Sequence, residues 1–166
     1  MNISTALRRI KALKGEIARI TGLIQVSNTW RADDTPAYNA AELLQQRGEL
    51  ISELVSLKTK LADANSSTTI KVTMQGKEVP MLLITAIHFL EEWKGEISML
   101  EGLMVAPSND YFETENVFTG ENYVTQKVVH HCVITTRERD EKVKNLRERF
   151  AALNDIVEAA NHTYEI

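Results

Sequence analysis

A single cysteine, Cys132, stands in a chain of 166 residues. No disulfide can therefore close within the chain, and the expected setting is reducing and cytoplasmic. Three prolines and seven glycines are too few for a disordered or fibrous chain. No stretch approaches the roughly 18 uninterrupted apolar residues of a membrane span, and the opening MNISTALRRIKALKGEI carries no apolar run of signal-peptide type. The catalytic signatures are missing too: there is no G-x-S-x-G elbow, P-loop, G-x-G-x-x-G or H-E-x-x-H. An enzyme is not expected. The net charge of -4 argues against broad binding to a nucleic acid polymer.

What is present is ordinary in amount and ordered in pattern. Hydrophobic residues make up 43% and charged residues 25%, which suits one domain, 1–166, with a modest core. Charge is uneven along the chain. Residues 1–31 hold Arg8, Arg9, Lys11, Lys14, Arg19 and Arg31 against Glu16 alone, whereas residues 78–121 hold nine acids against Lys94. A basic end and an acidic end could pair between subunits, or the basic end could hold an anion.

Four segments carry helical periodicity. The first, capped by Asn2 or Ser4, has the stripe Ile3, Leu7, Ile10, Leu13, Ile17, Ile20, Ile24 and ends near Ser27–Trp30, before a break at Pro36. The second runs from about Ala37 to Asn65 on Leu43, Leu44, Leu50, Ile51, Leu54, Leu57 and Leu61. The third starts near Pro80, on Leu83, Ile87, Leu90, Trp93, Ile97, Leu100 and Met104. The fourth runs from Thr135 or Thr136 to His162 with a near-heptad stripe of Val143, Leu146, Phe150, Leu153, Val157 and Ala160. Residues 68–79 alternate around Gln75-Gly76 and 116–134 around Gly120-Glu121-Asn122, so each predicts a β-hairpin. Residues 105–115, with Pro107, Ser108, Asn109 and Asp110, read as loop.

The most specific signal is internal. TALRRIKALKGEIARITGLI (5–24) and TAIHFLEEWKGEISMLEGLM (85–104) share KGEI and GL at an offset of 80. The ends of the second and fourth segments align at an offset of 96: Leu54 with Phe150, Leu57 with Leu153, Leu61 with Val157, Asn65 with Asn161. The expected architecture is mainly α: a pseudo-twofold tandem duplication of a helix–loop–helix unit (1–79 and 80–166) forming a four-helix bundle with two short hairpins. By the same alignment the tail Thr163–Ile166 should be extended. The paired glycines Gly15 and Gly95 suggest close helix approach near the pseudo-axis, because glycine inside a helix costs about 1 kcal/mol against alanine.

Several side chains invite chemistry. His130, His131 and Cys132 are adjacent, but strand alternation puts only His130 and Cys132 on one face, and two ligands are too few for a structural zinc. No metal and no cofactor is expected. His88 reads as a core or interface residue. Anion binding is the better prospect. Arg8 and Arg9 on the first helix, Trp30, Arg31 and Tyr38 around the first loop, Arg137, Arg139 and Arg147 on the last helix, and Asn154, Asn161 and His162 toward its end gather at helix ends and loops. An aromatic ring beside a guanidinium can stack on a base while the arginine takes a phosphate.

STALRRIKALKGEI, the Asp34-Thr35-Pro36 loop, the N-x-x-T step at Asn65–Thr68 and LRERFAALNDIVEAANHT together resemble a group of small bacterial and prophage helical proteins, some labelled septicolysin-like. That resemblance covers nearly the whole chain, carries no activity over, and nothing in the sequence looks membrane-inserting. In size and in arginine-plus-aromatic content the chain is also similar to phage anti-defence proteins that sequester nucleotide signals. The expectation is a homo-oligomeric, non-enzymatic binding protein for a small anionic, nucleotide-derived ligand. The alternative is a structural or protein–protein interaction module.

Overall fold

The computed structural model describes every residue except Ala32, Pro36 and Gln75, and only the backbone of Met74. Pro36, the expected helix break, and Gln75, of the expected turn, thus lie outside the described residues. The chain is mainly helical, with two small antiparallel sheets of two strands each. Its elements are α1 (Ile3–Ser27), α2 (Ala40–Ser67), β1 (Thr69–Met74), β2 (Lys77–Leu82), α3 (Leu83–Glu101), β3 (Asp110–Phe118), β4 (Tyr123–His131) and α4 (Thr136–Thr163). They divide between two units, Met1–Ile87 with Asp155–Ile166, and His88–Asn154. Among the described residues no helix is long and apolar enough to cross a membrane.

In the first unit, Asn2 caps α1 by accepting from the Thr5 N–H at 2.8 Å, and Asn39 caps α2 by accepting from Ala41 N–H. The Asn39 cap sets the start of α2 three residues later than the sequence pattern alone suggests. Ile3, Ala6, Ile10, Leu13 and Ile20 are the buried apolar positions of α1. Leu7, expected on that stripe, is 43% exposed; Ala6 takes the inward position instead, one residue and about 100° away. Ile10 and Leu13 pack with Leu57 of α2, flanked by Leu50, Leu54 and Leu61.

The expected start of α3 near Pro80 is corrected. Pro80 lies in β2 opposite Lys71, and pairing continues to Leu82 opposite Thr69 before the helix begins. Both strands of a two-stranded sheet are edges, where a residue without an N–H is tolerated. Gly76 supplies the positive φ of the turn, +78°.

Two junctions in this unit are made alike. The Ile3 N–H donates to the Tyr164 carbonyl at 3.1 Å, and the Leu83 N–H donates to the Thr68 carbonyl at 2.8 Å. Asn2 pairs with Glu165 as Leu82 pairs with Thr69, so the tail is extended as expected. The Tyr164 N–H returns to Ala160 O, and the Thr68 N–H to Ala64 O. Each correspondence keeps the sequence offsets of 80 and 96.

In the second unit, Leu100, Val143 and Leu146 form a buried cluster with Trp93 and Ile97 packed on it. The Arg149 guanidinium lies over the Trp93 ring, 4.8 Å from its centroid. Met104, expected to extend the α3 stripe, is exposed beyond the helix end. A capping box opens α4: the Glu138 carboxylate accepts from the Thr135 N–H at 2.9 Å, and the Thr135 hydroxyl accepts from the Glu138 N–H at 3.3 Å.

The second hairpin turns at Gly120, φ +93°, as expected, but it is longer than expected. Residues 110–115, read from sequence as loop, are strand. The loop ends at Asn109, whose carbonyl accepts from the Cys132 N–H at 2.6 Å and whose side chain donates to the Cys132 carbonyl at 3.0 Å. That clamp fixes where strand pairing starts. A Cβ built on Gly15 or Gly95 would meet nothing within 4 Å, so neither glycine is required by packing within its own unit.

Candidate functional site

The arginines expected to bind an anion are largely engaged by carboxylates. Arg9 makes a bidentate pair with Glu53, at 2.7 and 2.9 Å. Arg31 grips Asp33 at 3.0 and 2.9 Å. Arg139 contacts Asp140, and Arg147 pairs with Glu101. The Arg9 pairing holds the Glu53 carboxyl below its ordinary range, chiefly through the hydrogen bond, and raises the guanidinium in turn. A ligand anion would have to displace a carboxylate already matched to the planar fork.

Some of the expected residues do meet. Arg8, Asn161 and His162 line a cavity of about 360 Å³ with Ser4, Leu7 and Glu158. Trp30 and Tyr38 line a groove of about 630 Å³ with Asn28, Asn39 and Leu44 at the start of α2. Arg137 lines an open recess with Pro107, Thr136, Asp140, Glu141 and Lys144. Arg31 and Arg139 line none of these three. Asn154 is half-buried on α4.

The reactive candidates resolve simply. The Cys132 thiol donates to the Ile134 carbonyl at 3.0 Å and accepts from the Ala106 N–H at 3.3 Å, fastening the loop before α4. His131 pairs with Asp110 at 2.6 Å. His88, expected in the core or an interface, is exposed beside Glu91 at 3.4 Å; its position falls off the Leu83, Ala86, Leu100 face that α3 buries.

Leu44 and Ile51, expected on the core-facing stripe of α2, are corrected: they lie on a different, exposed apolar face. Leu44 and Val55 are 55% and 56% exposed, with Ile51 half-buried between them. Ile51 and Val55 follow the core-packed Leu50 and Leu54 by one position, hence about 100° round the helix, and Leu44 lies seven residues before Ile51 on the same face. So α2 has two apolar faces, and α1 covers one of them. Phe112, Phe118 and Tyr123 are also more than half exposed on the β3–β4 hairpin. The doubled stripe on α2 was legible as the adjacent pairs Leu43-Leu44, Leu50-Ile51 and Leu54-Val55.

No family model, no curated protein and no solved structure matches the chain.

Proposed function

We propose that this chain is a duplicated helical-hairpin module that works by assembling with further copies of itself, without catalysis. The observation that carries this is the second apolar face of α2, where Leu44 and Val55 are more than half exposed on either side of the half-buried Ile51. Apolar surface in a continuous stripe is the kind that buries in an interface. In this reading the expected four-helix bundle is completed by helices of other copies. Duplication is supported by the two matched junctions, Ile3–Tyr164 and Leu83–Thr68.

A second function is favoured by one further observation. The Trp30–Tyr38 groove brings together two exposed aromatic rings on which a base can stack. That arrangement suits a small anionic, nucleotide-derived ligand, held by the oligomer as a phage counter-defence sponge. Native mass spectrometry of the protein as purified, then denatured, separates the two. An oligomer with no extra mass, and no uptake from a panel of cyclic nucleotides, leaves the assembly module alone. Extra mass released on denaturation moves the assignment to the ligand cage, and a monomer at micromolar concentration removes both.

A further inference from the structure

Tyr111, Glu113 and Glu115 alternate along one face of β3, and His130 stands opposite Tyr111 on β4. The Tyr111 and His130 rings stack, with centroids 5.1 Å apart and planes 19° apart, which fixes the direction of the imidazole. Its Nε2 then faces two carboxylates, Glu113 Oε2 at 3.6 Å and Glu115 Oε1 at 4.0 Å. One ligand atom from each of the three lies within 4.8 Å of the others.

Both separations are too long for a hydrogen bond. Nε2 is nevertheless closed off from solvent and has no hydrogen-bond partner, an unusual state for a buried ring nitrogen. The two carboxylates converge on it with no lysine or arginine pairing to either among the described residues. Lys127, the basic residue of β4, lies instead over the Phe112 ring at 3.8 Å, and Phe112 belongs to the opposite face by strand alternation. A cation at the focus of the three side chains would satisfy Nε2 and neutralise both acids at once. Ligands about 2.1 Å from a metal stand about 3.4 Å apart around a tetrahedral ion, so small side-chain adjustments close the set.

We propose that Glu113, Glu115 and His130 form a binding site for a divalent transition cation, with the remaining coordination positions left to water. Two carboxylates and one imidazole suit zinc, manganese or ferrous iron, and the nitrogen ligand disfavours calcium and magnesium. The site is independent of the assembly proposed above.

The test is calorimetric titration of the chelator-treated protein with Zn²⁺, repeated with Co²⁺ and followed by visible absorption. The expected result is one saturable site per chain. Affinity should fall more than about tenfold in Glu113→Gln, Glu115→Gln and His130→Ala, and be retained in His131→Ala. The glutamines keep the shape of half-exposed side chains, so circular dichroism should be unchanged and the loss cannot be unfolding. No saturable binding, equal affinity in the glutamine variants, or an equal loss in His131→Ala would each overturn the site.

Discussion

Leu13→Ala is the sharpest test of how α1 is oriented. Leu13 is 1% exposed and packs in the cluster of Ile10 and Leu57, with Leu50, Leu54 and Leu61 around it. Removing three side-chain carbons from such a site forfeits their transfer energy and leaves a cavity, together about 3 kcal/mol. For a chain of this length that lowers Tm by roughly 6–12 °C. Leu7→Ala is the matched control. Sequence periodicity places Leu7 on the same stripe, but it is 43% exposed, so its truncation should cost less than about 1 kcal/mol. Differential scanning calorimetry of both variants at equal concentration reads the contrast directly. Equal losses would refute the rotation of α1 that puts Ala6, rather than Leu7, inside.

Asn2→Ala should destabilise by about 1–2 kcal/mol, read by thermal denaturation. Asn2 not only caps α1 but also donates to the His162 carbonyl at 3.1 Å, so its effect should exceed that of Asn39→Ala, and the reverse order would contradict that double role. Glu138 is held below its ordinary carboxyl range, first by the Thr135 backbone N–H and next by the Thr135 hydroxyl. A depressed folded pKa adds stability above the unfolded value of about 4.3 and loses it as pH falls through the folded pKa. Urea midpoints measured from pH 7 to pH 3 should therefore fall less steeply in Glu138→Gln, and parallel profiles would count against the capping box. Ile97→Asn should lower stability rather than merely dissociate an assembly, because Ile97 packs on Leu100, Val143 and Leu146 of its own chain; a dissociated variant with wild-type Tm would show otherwise.

Much of the fold was legible, and the reason is periodicity. The stripe read for α4 reappears in its buried or half-buried residues from Val143 to Ala160, because a near-heptad leaves one rotation that covers all six. The turn near Gly120 was legible because the backbone there requires positive φ. Pro80 misled because its preference for a first helical turn competes with its tolerance in an edge strand, and pairing with Lys71 decides the matter. The carboxylates beside His130 were hidden for a related reason. Reading 110–115 as loop removed the register that sets Tyr111 against His130, so only two of the side chains around that strand could be counted as ligands. The arginines were visible, but their engagement was not. Arg31 with Asp33 and Arg139 with Asp140 are local in sequence, while Arg9 with Glu53 depends on helix pairing.

The central claim is that the Leu44–Ile51–Val55 face of α2 is buried between copies of the chain. The most direct test is the solution mass, by light scattering, of the wild-type protein and of Leu44→Lys/Val55→Lys. Both substituted side chains are exposed within the chain, so the monomer fold should survive. The account predicts a defined wild-type oligomer that falls to monomer in the double variant with its helical signal intact. A monomeric wild type, or an oligomer that the two lysines leave untouched, would contradict it.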